Sequence, residues 1–277
     1  MRFNNSRGFG VEIEIRSHQV RSDGDAYHVS TAQVARWLRN AGLDARNERY
    51  NHETRTWWKV TTDASCGLEV VSPILYGEEG LEQVRKVVRK LKAHGAVVDD
   101  LTGLHVHHDA TDFTGKGLKQ VLAMYGQWQE SINELMAVTR RNNYFCQPIS
   151  RVRALSLIDA TPDTWSVDQQ ARSLSHGGRY QALNLQAYAV HNTVEFRQHH
   201  GTLDAERVVS WVVVTQLMME RARTTTFKAQ PLPAAAQNER KVGRFGMFLR
   251  HGGSGELEQY AIKYLAHTKN GRDLARA

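Results

Sequence analysis

Cysteine is nearly absent: Cys66 and Cys146 are the only two in 277 residues, and no metal-type spacing links them. That leaves no disulfide framework, and a reducing cytoplasm is the expected compartment. Long apolar runs are missing too. The best, Val208 to Met219, is interrupted by Ser210, Thr215 and Gln216 and falls short of the ~20 residues of a membrane span. The first residues, Met-Arg-Phe-Asn-Asn-Ser-Arg, lead straight into a strand-like pattern, so no secretory signal is expected. Internal repeats are lacking. Gly252-Gly253-Ser254-Gly255 has no Lys-Ser/Thr ending and reads as a flexible loop, not a phosphate cradle. No helix-turn-helix, zinc knuckle or aromatic RNA-binding signature accompanies the basic charge.

What is present is an ordinary globular composition with a formal charge of +7, which suits a polyanionic partner, either a nucleoside triphosphate or a nucleic acid. Alternation predicts strands over 7–16, 57–63, 67–72, 101–109, 180–188 and 192–199. Helical spacing predicts helices over 30–41, 78–94, 117–139 and from Asp204 to about Arg223. Residues 140–164 read as irregular, and 224–238 as a linker before a short helix near 256–267. Mixed strands and helices without a regular βαβ rhythm predict an α+β fold. It would have an antiparallel or mixed sheet, helices on one face and an acidic/His face on the other. The expected organisation is a catalytic domain over 1–223, with a linker and helical extension over 224–277 packed on it.

Four of the strands carry polar residues at a period of two. Glu12 and Glu14 project from one face, ~7 Å apart along the strand. Glu69 alternates against Leu68 and Val70; His105, His107 and Asp109 against Leu104 and Val106; Glu195, Arg197 and His199 against Val194 and Phe196. Taken singly, each face is compatible with a solvated surface. If the strands are neighbours, Glu12, Glu14, Glu69, His105 and Glu195 converge, and such carboxylates stay ionised together only with bound cations. Oxygen-rich ligands with one imidazole favour magnesium or manganese over zinc. Arg197 then adds a cation where phosphoryl oxygens would sit.

Five segments, in order and spacing, resemble the amidoligases, a branch of the glutamine synthetase-like carboxylate–amine ligases. They are Gly-Val-Glu-Ile-Glu at 10–14, Gly-Leu-Glu-Val-Val-Ser-Pro at 67–73 and Gly-Leu-His-Val-His-His-Asp at 103–109. Arg-Tyr-Gln-Ala-Leu-Asn-Leu at 179–185 and Thr-Val-Glu-Phe-Arg-Gln-His-His-Gly-Thr at 193–202 complete the set. The resemblance runs from about Phe9 to Asp204; the tail beyond Thr224 does not align. One departure is Asp100-Leu-Thr-Gly, where glutamine synthetase has Asn-Gly-Ser-Gly.

The resemblance implies a glutamine synthetase-like catalytic fold using ATP with Mg2+ or Mn2+. By position, Glu12 and Glu14 resemble paired strand glutamates holding two metals, and His105 a metal-binding histidine. Glu69 resembles a ligand of the metal beside the substrate, and Glu195 of the metal beside the phosphates. His107 resembles the histidine nearer the nucleotide. Arg197 resembles the arginine steadying the transferring phosphoryl group, with Arg179 assisting. Trp58 and Asp63-Ala-Ser65 match a pattern common in this branch, making Asp63 a candidate for the incoming ammonium. The implied chemistry is phosphorylation of a carboxylate by ATP and displacement of phosphate by an amine, with residues 140–175 covering the intermediate. Either substrate can belong to a peptide or another macromolecule, and no membrane partner is expected. The alternatives are a phosphotransferase stopping at a phosphorylated product, and a non-enzymatic nucleic-acid-binding module.

Overall fold

Strand β1, Phe9–Arg16, follows from its alternation: Phe9, Val11, Ile13 and Ile15 are buried, and Glu12 faces the other way. The computed structural model describes residues 3–20, 26–175 and 178–224. The expected linker, the Gly-rich loop and the terminal helix therefore lie outside the described residues, save Thr224. The remaining strands are β2 (His18–Val20), β3 (Ala26–His28), β4 (Ala45–Asn47), β5 (Trp58–Asp63), β6 (Gly67–Val71), β7 (Gly103–Asp109), β8 (Leu183–Asn184) and β9 (Thr193–His200). Seven form one mixed sheet in the order β4-β5-β6-β1-β7-β9-β8, and β2 pairs with β3 separately. The fold is α+β, as the alternation implied.

The chain divides into two compact units, one made of Asn5–Val106 with His199–Val209 and the other of the remaining described residues. In the first, helix α1 (Thr31–Arg39) starts at a capping box between Ser30 and Gln33. Helix α2 (Gly77–Ala93) buries Leu81, Val84, Val88 and Leu91, with acids in its first turn and lysines in its last. These helices lie on the apolar face of the strands. The Trp58 indole N–H donates to Gln83 of α2 at 3.4 Å. A Cβ at Gly80 would come within 3.1 Å of the Phe9 ring, so only glycine lets α2 approach β1 this closely.

The second unit is more helical than expected. Helices α3 (Gly115–Asn133) and α8 (Ala205–Thr224) were anticipated in outline. Residues 140–164, expected to be irregular, instead hold α4 (Val138–Arg141) and α5 (Arg151–Ala160), with α6 (Val167–Leu174) following. Helix α5 was missed because its apolar stripe is thin: only Ala154 and Leu157 are buried. Its N-terminus is capped by Ser150, whose hydroxyl accepts from Arg153 N–H. Gly126 of α3 allows the contact, since a Cβ there would meet Ala154 Cβ at 2.7 Å. The strand expected over 180–188 shrinks to Leu183–Asn184, followed by the helical turn α7 (Tyr188–His191) and left-handed Asn192. Phe196 of β9 packs under Tyr125 of α3, and His108 of β7 bonds to Thr215 of α8 at 2.7 Å. Helix α8 is buried on all sides over 208–220, as its apolar sequence requires. No helix among the described residues is long and apolar enough to cross a membrane.

Candidate active site

Register, not alternation alone, assembles the polar face of the first unit. β1 pairs antiparallel with β6, and β6 with β5, so directly opposed residues share a face. Three rows result: Glu12–Val71–Lys59, Glu14–Glu69–Thr61 and Arg16–Gly67–Asp63. Glu69 sits at the centre of this grid. Burial pushes its pKa well above the ordinary carboxylate value. Glu12, Glu14 and Asp63 push it further, and Lys59 opposes them as the smallest of these influences.

His105 joins the grid from β7. Its Nδ1 lies 2.9 Å from Glu12 Oε2 and its Nε2 3.4 Å from Glu14 Oε1. Glu14 Oε2 also accepts the Gly103 backbone N–H at 2.5 Å, which fixes the carboxylate. One ligand atom each from Glu12, Glu69 and His105 lie within 4.8 Å of one another. Donors around one magnesium ion, at ~2.1 Å each, lie at most ~4.2 Å apart, so the set needs only a small inward shift to hold a cation. The donor chemistry, carboxylates plus one imidazole, fits a hard divalent ion. So does the raised pKa of Glu69, which a cation would bring down.

Asp63 has a second occupation. Its Oδ1 accepts from Ser65 N–H at 2.7 Å, Ser65 hydroxyl at 2.5 Å and Cys66 N–H at 3.1 Å, closing the β5–β6 turn. Burial raises its pKa, but the Ser65 and Cys66 bonds together outweigh that and hold it below its ordinary value.

Glu195, Arg197, His107 and Arg179 fall in the other unit. Glu195 Oε1 lies 2.5 Å from an Arg197 guanidinium nitrogen and 3.6 Å from His107 Nε2, while its Oε2 accepts from Asn184 at 2.6 Å. Arg197 also donates to the Phe145 carbonyl at 3.2 Å. His107 Nδ1 is 3.0 Å from the Thr193 hydroxyl. Arg179 and Arg197 both approach the Tyr180 ring, at 5.0 and 5.9 Å. The second unit thus carries a buried carboxylate already answered by a cation.

Sequence reasoning passed over three residues of these sets. Asn184 lies inside a quoted motif but received no role. Lys59, buried at 4% exposure, donates from Nζ to the Asn51 carbonyl, Asn51 Oδ1 and the Glu53 carbonyl. Thr61 is 1% exposed and its hydroxyl has no hydrogen-bond partner among the described residues. Their signal was the alternation Lys-Val-Thr-Thr-Asp, which puts Lys59, Thr61 and Asp63 on one face.

Paired strand carboxylates closing on an imidazole define an α+β protein suited to divalent-cation chemistry. The family model described as "Putative amidoligase enzyme" matches residues 5–219, and the chain belongs to that family. Among solved structures, the chain is similar to one in the crystal structure of the complex between Prokaryotic Ubiquitin-like Protein Pup and its Ligase PafA. Identity is 10% and the TM-score 0.43. The match covers 96% of this chain, which spans 64% of the length of the other. No curated protein matches.

Proposed function

We propose that this protein is an ATP- and Mg2+- or Mn2+-dependent ligase joining a carboxylate to an amine through an acyl phosphate, with residues 1–223 as the catalytic region. The observation that carries the reading is the Glu12, Glu69 and His105 set within a chain of the amidoligase family. Bound cations, with Glu12 and Glu14 on different ions, Glu69 and His105 as further ligands of the set and Glu195 toward the phosphates, would neutralise ATP phosphates and orient the substrate carboxylate. Arg197 offers a planar fork to the transferring phosphoryl group, with Arg179 beside it and His107 toward the nucleotide. A substrate carboxylate oxygen attacks the γ-phosphorus, the bond to the β-phosphate oxygen breaks, and ADP leaves. The amine nitrogen then attacks the acyl carbon, phosphate departs, and the nitrogen gives up a proton.

Asp63 is assigned to the ammonium. With its pKa held down it stays ionised, which favours holding the cation at least as much as removing its proton. Because the turn bonds all fall on Oδ1, the oxygen assigned to this role is Oδ2. The acid and the amine are small molecules or groups on a peptide. Thermal unfolding with Mg2+ or Mn2+, with ATP, with both and with chelator tests the reading. Stabilisation by ATP should require the metal, and ATP-dependent stabilisation unaffected by chelator refutes it. Release of ADP that rises when a panel of amines is added separates a ligase from a phosphotransferase.

A further inference from the structure

Thr61 hides a hydroxyl in the wrong place for a purely structural residue. It stands on β5 directly opposite Glu69, which is in turn opposite Glu14, so all three side chains occupy one row of the acidic face. Its exposure is 1%, and its Oγ1 has no hydrogen-bond partner among the described residues. A buried hydroxyl left unpaired costs ~1–3 kcal/mol, and valine would fill the same space in a strand without that cost. Nearby polar groups do not relieve it. Lys59 is engaged with Asn51 and Glu53, and the described Asp63 bonds go to Ser65 and Cys66.

Resting on the ligase reading above, we infer that Thr61 is a positioning residue of the Glu12–Glu69–His105 cation set, its Oγ1 accepting a hydrogen bond from a water bound to the cation. Three protein donors would leave a bound magnesium ion several of its waters. A water on such an ion would be polarised and would donate strongly to Thr61 Oγ1. The threonine O–H remains available to Glu69 across the strands. The hydroxyl would therefore gain its partners when the ion binds, and would orient that water.

Two variants of the full chain, Thr61→Val and Thr61→Ser, test this with Mn2+ as the probe, titrated by the paramagnetic resonance of the free ion and by thermal shift. Thr61→Val, isosteric but without the hydroxyl, should be at least as stable as wild type without metal. It should bind Mn2+ ~10-fold more weakly, the scale expected for losing one outer partner of a metal site. Thr61→Ser should retain wild-type affinity. Wild-type Mn2+ affinity in Thr61→Val overturns the inference while leaving the cation set intact. Failure of Thr61→Val to fold, or equal loss of metal-free stability in both variants, assigns Thr61 to packing and also overturns it. If the wild-type chain itself binds no Mn2+, the reading of the cation set falls first and the inference with it.

Discussion

The two sets of site residues answer their charge differently. Around Glu69, carboxylates are stacked across β1 and β6, and the central one is pushed toward protonation by burial first and then by its acidic neighbours. Around Glu195, a guanidinium nitrogen 2.5 Å away and the Asn184 amide already satisfy the carboxylate. Burying an unneutralised acid is expensive, whereas a paired one costs far less once its hydrogen bonds are complete. On the proposed reading, a bound cation would complete the first set. The second is preorganised by the protein itself, and would have to release Arg197 to take a cation.

Removing the central acid should produce the largest contrast. Glu69→Gln keeps the shape but removes the charge, so the metal-free protein should melt higher at neutral pH while metal-dependent stabilisation disappears. Calorimetry with and without Mn2+ reads both effects, and a variant that keeps the metal response breaks the comparison. In the second set, Glu195→Gln should weaken metal-dependent nucleotide binding and lower activity. Arg197→Lys should leave nucleotide binding largely in place but slow ADP release by ~100-fold or more, as for a lost donor aimed at developing charge. Near-wild-type ADP release in both variants would remove β9 from the reaction.

Acid and base titration of stability should sharpen the contrast further. The folded pKa of Glu69 lies above its unfolded value of 4.5, so the folded state holds the proton more tightly. Metal-free stability should then fall as pH rises from about 4.5 through the folded pKa, and Glu69→Gln should flatten that decline. Glu48 behaves oppositely. Arg55 above all, with Asn51 and Trp57, outweighs the effect of burial and holds its pKa at about 2. Its contribution should be complete above about 4.5 and lost as pH falls through about 2, and unfolding curves of Glu48→Gln across that window would test it.

The smallest effect is expected at the β5–β6 turn. Asp63→Asn keeps a carbonyl oxygen to accept the Ser65 and Cys66 N–H groups, so stability should drop by only ~1 kcal/mol. With a substrate in hand, ADP formation should survive better than amide formation. Equal loss of both would assign Asp63 to the turn alone.

Alternation and caps are local properties, so the sequence alone determined the α+β class and the polar faces of β1, β6, β7 and β9. The order of the five motifs also determined the family. Helix α2 was expected over 78–94 and spans Gly77–Ala93, because its acids, apolar stripe and terminal glycine all point the same way. Where local signals were thin, as in α5 with two buried residues or β8 with two paired ones, only packing decided the conformation. The same holds for the grid around Glu69. Which residue of β6 opposes Glu14 depends on pairing between segments 55 residues apart in sequence, which no period along the chain encodes, and Thr61 joins that row only through its hairpin partner Glu69. Tertiary structure likewise buried Glu195 and brought Asn184 of β8 onto it, because a charged side chain takes the nearest partners that burial leaves it.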